Sequence, residues 1–136
     1  PRLSYGAVQG YTENGKKIAP FTTLGGLYAR SDSFKHEFPY NLPPRWVEKK
    51  ASLDLNTPFN LVSTNDIIGG NSGSPTINQN GELVGLIFDG NIQSLVGDFI
   101  YDESVNRAIS VDSRGMLEVL KKVFGANDIV AELTAS

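Results

Sequence analysis

Between Gly69 and Pro75 the chain reads GGNSGSP, which sets the hydroxyl of Ser72 among glycines that leave the backbone free to bend and to be approached closely. A serine so placed can be a nucleophile, a phosphate ligand or part of a turn. A phosphate loop is disfavoured, because the lysine and spacing of the P-loop are absent and no helical pattern follows. An α/β-hydrolase nucleophile elbow needs glycine two residues after the serine, and Ser74 stands there. The segment also leads into a hairpin rather than a helix. The third reading is a serine at a tight bend between strands, with backbone N–H groups turned inward to hold an oxyanion. The N–H of Gly70 and that of Ser72 itself would be the two donors, and Gly73 would clear space beside the nucleophile. A glycine-rich structural turn remains the alternative.

A serine nucleophile needs a base and usually an orienting acid. His36 is the single histidine of the chain and lies in the polar stretch SFKHEF, 36 positions before Ser72, which suits a surface residue better than a base. A compact endopeptidase using His36 is the competing assignment. Asp66 lies six residues before Ser72, where trypsin-type enzymes place the acid that selects Arg or Lys. No cysteine fixes that loop, so structural hydrogen bonding by Asp66 is the stronger expectation. Asp89, ahead of Gly90 and Asn91, reads as a turn acid.

Short runs of β-branched and aromatic residues alternate with Gly, Pro, Asn and Ser, which predicts a mostly β domain. Strands are expected over Leu3–Tyr11, Phe21–Arg30, Phe59–Ser63, Ser74–Asn78, Glu82–Asp89, Phe99–Tyr101 and Val105–Val111. Gly6, Gly25 and Gly26 read as bends or close approaches of backbone. Asn80-Gly81 predicts that the fourth and fifth of these strands pair as a hairpin. Ser31–Asn56, with Pro43 and Pro44, reads as a long surface excursion. A helix is expected over about 113–124, capped by Asp112 or Ser113, with Met116, Leu117, Leu120, Val123 and Phe124 on its apolar stripe and Gly125 past its end. The tail IVAELTAS fits a short strand, a short helix or a frayed end.

The chain has 136 residues, 40% of them hydrophobic and 20% charged, which fits one domain spanning 1–136. A net charge of −3 without a basic run argues against nucleic acid or a polybasic membrane patch as partner. With no cysteine, thiolate chemistry and disulfides are excluded. No run reaches the length of a membrane span, and the first ten residues, PRLSYGAVQG, do not read as a signal peptide.

GGNSGSP, with TND before it, the Asn-Gly hairpin after it, and then LVGLIFDGN and NRAISVDSRG, resembles the catalytic-serine region of bacterial dipeptidyl-peptidases of the dipeptidyl-peptidase 7 and 11 type. RLSYGAVQGY and TLGGLY extend the resemblance over nearly the whole chain. The resemblance implies a serine peptidase with a chymotrypsin-like double barrel, of which this chain would supply the second, six-stranded-type barrel and a C-terminal helix. Ser72 would be the nucleophile, Gly70 and Ser72 the oxyanion hole, and Asp89 the anchor for the free ammonium of the substrate. Acidic-specific members carry arginine where this chain has Gly90, so an apolar residue ahead of the scissile bond is expected.

The family's catalytic histidine and aspartate belong to an N-terminal part not contained in this chain, and 136 residues cannot build two barrels and the helical domain between them. The chain is therefore expected to be a C-terminal portion, inactive alone, whose partners are a peptide substrate and the missing barrel. No metal or organic cofactor is implied. An exported enzyme, in the periplasm or at the cell surface, and a homodimer when intact are further implications. A non-catalytic β domain that binds a peptide or a partner chain is the alternative function.

Overall fold

The computed structural model describes residues 3–96 and 102–135. In chain order the elements are β1 (Tyr11–Glu13), β2 (Lys16–Ile18), β3 (Phe21–Thr23), α1 (Leu24–Ser33), α2 (Pro44–Lys49), β4 (Pro58–Ser63), β5 (Pro75–Ile77), β6 (Leu83–Gly90), β7 (Ala108–Asp112), α3 (Ser113–Lys122) and α4 (Asn127–Thr134). They fall into two compact units, one of Pro1–Thr22 with Asn60–Ser113 and one of Thr23–Phe59 with Arg114–Ser136.

The first unit is built on the sheet ordered β3-β4-β7-β6-β5. β4 pairs with β7, β7 with β6 and β6 with β5, all antiparallel. Leu61, Ile87 and Ala108 supply its buried apolar side chains, while Ser63, Ser110 and Asp112 are buried polar residues on the same strands. The hydroxyl of Ser110 is satisfied across the sheet by Thr76 Oγ1 at 2.9 Å, as a buried polar group requires. β1 and β2 form a separate hairpin through Asn14-Gly15, both at positive φ, a turn whose twist suits a two-residue connection.

The expected hairpin through Asn80-Gly81 is present, with Ile77 opposite Leu83. Its turn is longer than the dipeptide suggests. Gly81 N–H donates to Asn78 O at 3.0 Å, and Asn78 Oδ1 accepts from the N–H groups of Asn80 and Glu82 at 2.9 and 3.0 Å. Leu3–Tyr11 is not a strand. Val8 makes one bridge to Ser63, and the regular ladder begins only at Tyr11. Gly6 is there because a Cβ would lie 2.6 Å from Asn65 N, the close approach its sequence context suggested.

The second unit overturns two expectations. Leu24–Ser33 is helical rather than extended, because Thr23 Oγ1 accepts from Gly26 N–H at 3.1 Å and stops β3 with an N-cap. Leu24, Tyr28 and Ser31 then lie on one buried face, at the i, i+4, i+7 spacing of a helix. The Ser31–Asn56 stretch is not a bare excursion either. Pro44 occupies the first helical position of α2, where its missing N–H is harmless and its fixed φ is already helical. Leu42, Trp46, Leu53 and Leu55 from this stretch pack with Leu24, Tyr28, Val119 and Val123, and Tyr28 Oη donates to Trp46 O at 2.7 Å. α3 occupies the expected position, Gly125 follows it at φ +63°, and the tail forms α4.

The architecture is thus mixed α/β, with an antiparallel sheet and four α-helices, and the described residues form no closed barrel. β3 and β5 are the two edges of the sheet. Closing a six-stranded barrel would require strands pairing both edges, and none does so among the described residues. The expected strand Phe99–Tyr101 lies outside them.

Candidate active site

Two turns back to back present Ser72. Asn71 N–H donates to Ile68 O at 3.2 Å and closes the first; Ser74 N–H donates to Asn71 O at 2.9 Å and closes the second. The third residue of each is a glycine with positive φ, Gly70 at +93° and Gly73 at +83°, the position at which a type II turn demands glycine. Neither glycine owes its place to crowding by the described residues, since a Cβ on either would meet none of their atoms within 4 Å. Asn71 reinforces the first turn, its Oδ1 accepting from Ile68 N–H at 2.8 Å. That role was not read from the sequence, although asparagine in such a turn is the residue that commonly bonds nearby backbone.

The double turn is attached to the sheet. Gly73 N–H donates to Ile87 O at 2.8 Å and Ile87 N–H to Ser74 O at 3.0 Å, which fixes Ser72 beside β6. Ser72 itself is exposed. Among the described residues, its hydroxyl and the N–H groups of Gly70 and Ser72 have no protein hydrogen-bond partner. Backbone donors are nearly always paired within the fold or solvated. Two unspent donors, at the serine itself and two residues before it, are groups able to stabilise a developing negative charge.

Asp89 and Gly90 end β6. The pairing with β7 passes from Ile87 opposite Ser110 to Asp89 opposite Ile109, so Phe88 is a bulged residue. Such bulges turn neighbouring side chains away from the regular alternation. Asp89 is exposed, with Oδ1 accepting from Gly90 N–H at 2.8 Å. Gly90 is half-buried against Ile67 and Ser94. Behind it Asn91 is a hub that the sequence did not single out. Asn91 Oδ1 accepts from Arg107 N–H at 3.0 Å, Nδ2 donates to Val105 O at 2.7 Å, and Asn91 N–H donates to Arg107 O at 3.0 Å.

Arg107 is 1% exposed and is caged by carbonyls: Nε donates to Gln9 O, Nη2 to Gly10 O, and Nη1 to Glu103 O and Asn106 O, all at 2.7–2.8 Å. Nothing in NRAISV marks this arginine as buried, because two of its four carbonyl partners are 97 and 98 positions away. A cleft of about 510 Å³ beside it is lined by Tyr11, Lys17 and Val105 and does not reach Ser72. The chemistry, rather than this cleft, locates the site.

The remaining candidates lie elsewhere or act structurally. Asp66 is exposed; its main-chain carbonyl accepts from Ser4 Oγ at 2.8 Å, while Asn65 Nδ2 donates to Ser4 O at 3.0 Å. His36 belongs to the second unit. Its ring is engaged locally, with Nδ1 at 3.0 Å from Ser31 Oγ and Nε2 at 3.3 Å from Asp32 Oδ1. Among the described residues no group of three His, Asp or Glu side chains could hold a metal ion, and no helix is long and apolar enough to cross a membrane.

Residues 1–135 match the Peptidase S46 family. The chain belongs to that family. It is 39% identical over 142 residues to the dipeptidyl-peptidase 7 of Phocaeicola vulgatus, covering 98% of this chain and 19% of that protein. It is 34% identical over 163 residues to an Asp/Glu-specific dipeptidyl-peptidase of Shewanella putrefaciens, covering 97% and 22%. Its fold superposes with a TM-score of 0.87 on the crystal structure of Porphyromonas endodontalis DPP11 in complex with the dipeptide Arg-Glu, at 27% identity, covering 98% of this chain and 20% of that one. The chain therefore spans about a fifth of the length of these relatives.

Proposed function

We propose that the protein to which this chain belongs is a serine-type dipeptidyl-peptidase that releases dipeptides from the free N-terminus of peptides. The observation that carries the reading is the double turn, which exposes Ser72 and leaves the N–H groups of Gly70 and Ser72 without a protein partner among the described residues. Family membership gives that geometry its chemical sense. Ser72 Oγ attacks the scissile carbonyl after passing its proton to a base. The two N–H groups hold the oxyanion of the tetrahedral intermediate, the leaving amine takes up the proton, and water then hydrolyses the acyl-enzyme. Asp89 pairs with the substrate's ammonium and so measures two residues from the N-terminus.

Gly90 offers no cation to a substrate carboxylate, and Ile67 lies beside it, which supports a preference for an apolar residue ahead of the scissile bond. The base and its orienting acid come from the remaining four-fifths of the polypeptide, the first barrel of a double-barrel enzyme, so this chain alone is inactive. The intact enzyme is exported and dimeric in this reading. A fluorophosphonate probe tests it. Labelling of the full-length enzyme at Ser72, abolished by Ser72→Ala together with release of Leu- or Met-directed dipeptides, is expected. Faster cleavage of Asp- or Glu-directed substrates would refute the preference, and stoichiometric labelling of the isolated chain would refute its dependence on the rest.

A further inference from the structure

The glycine at position 90 has a local cause. Its φ lies outside the left-handed range, so the backbone there would accept any residue. What excludes a side chain is space. A Cβ on residue 90 would overlap Ser94 Oγ, lie 3.2 Å from Ser94 Cβ and touch Ile67 Cδ1 at 3.4 Å. Ser94 can swing its hydroxyl aside only by giving up a hydrogen bond. Its Oγ donates to Asn91 O at 2.6 Å, and its N–H to Asn91 O and Oδ1 at 2.9 and 3.1 Å. Asn91 is 5% exposed and is gripped in turn by Val105 and Arg107. A side chain at position 90 would have to break the Ser94 hydroxyl's bond and still push its Cβ back by a few tenths of an ångström.

We propose that Ser94 is a specificity-determining residue, whose locked hydroxyl keeps position 90 bare and, with Ile67, closes the pocket for the residue ahead of the scissile bond with short, uncharged groups. The inference rests on the reading of Asp89 and Gly90 as substrate-contacting residues. Its consequence is that arginine at position 90 cannot install a preference for acidic residues while Ser94 is in place. The guanidinium can reach a substrate carboxylate only when its first carbon has somewhere to sit.

The test compares full-length wild-type enzyme, Gly90→Arg, Ser94→Gly and the double variant on Leu/Met-directed and Asp/Glu-directed dipeptide substrates. Gly90→Arg alone should lose about 10-fold or more in kcat/KM on the apolar substrates and gain less than about 3-fold on the acidic ones. The double variant should gain about 30-fold or more on acidic substrates over wild type. An equal gain by Gly90→Arg alone, or no gain by the double variant, overturns the proposal. Thermal unfolding of Gly90→Ala and Gly90→Ala/Ser94→Gly supplies a readout independent of activity. The alanine should lower the midpoint by about 2 °C or more with Ser94 present and by less than half as much without it. Additive midpoints overturn the steric coupling whatever the enzyme cleaves. Absence of dipeptide release by the wild type would refute the peptidase reading instead, leaving the midpoints to decide the coupling.

Discussion

Substituting Gly70 by alanine separates the conformation of the nucleophile turn from its packing. The added methyl group meets no atom of the described residues within 4 Å, so no clash with them contributes. The φ of +93° does contribute, since an L-residue with a side chain holds a left-handed conformation at about 1–2 kcal/mol. The turn relieves that strain by rotating the peptide units around residue 70, and the Gly70 N–H rotates with them. A lost oxyanion donor lowers kcat by about 10²–10³, roughly 2.7–4 kcal/mol, with little change in KM because the donor acts on charge that develops only in the transition state. Gly69 is the internal control. It also faces open space but has no positive φ, so Gly69→Ala should keep kcat within about 3-fold and stability within about 0.5 kcal/mol. The assay is steady-state hydrolysis of a fluorogenic dipeptidyl amide by the full-length enzyme, with thermal unfolding recorded in parallel. Gly70→Ala with kcat within about 3-fold of wild type, or Gly69→Ala losing as much as Gly70→Ala, would refute the assignment of the donor to residue 70.

Asp89→Asn keeps the hydrogen bond from Gly90 N–H but removes the charge, and should reduce kcat/KM on substrates with a free amino terminus by about 10²-fold; an unchanged value removes Asp89 as the ammonium anchor. His36→Ala should leave kcat of the full-length enzyme within about 2-fold, and a loss of several orders of magnitude would make His36 the base. In the second unit, burial pushes the Glu118 carboxyl up, but the Asp54 N–H at 2.9 Å and Lys122 Nζ at 2.6 Å outweigh it and hold the carboxyl below its usual value. A carboxyl whose pKa is lowered by folding stabilises the fold above its unfolded value and loses that contribution as pH falls through the lowered folded value. Glu118→Gln should therefore be destabilised by about 1 kcal/mol at neutral pH and should show a flatter acid limb of stability below about pH 4.5, as measured by thermal unfolding against pH.

What could be read along the chain was local. The double role of GGNSGSP as bend and as presenter of Ser72 follows from the residue types, because positive φ has few tenants other than glycine. The β5–β6 hairpin, β4, β7 and α3 were legible for the same reason, each having its turn residues, alternation or cap within a few positions. Asn14-Gly15 announces the β1–β2 hairpin just as plainly as Asn80-Gly81 announces its own. Thr23, two positions before a glycine pair, could have been recognised as a helix cap, since Leu24, Leu27, Tyr28 and Ser31 repeat with helical spacing. Glycine pairs weaken that signal because glycine is a poor helix former. Here Gly25 stays because its N–H bonds Leu55 O at 2.8 Å and a Cβ would lie 2.9 Å from the same oxygen, a contact made 30 residues away.

The tertiary structure decided whatever depended on such distant partners. Pro43-Pro44 begins a helix because Trp46 has Tyr28 and Phe59 to pack against. Arg107 is buried because Gln9 and Gly10 turn their carbonyls toward it, and Gly90 has Ile67 beside it although the two are 23 positions apart. The sequence by itself singled out the residues proposed to carry the chemistry, since a side chain's reactivity and a glycine's freedom are properties of the residue. Whether the space around them admits one side chain and refuses another is a property of atoms brought together from distant parts of the chain, and only the folded structure contains it.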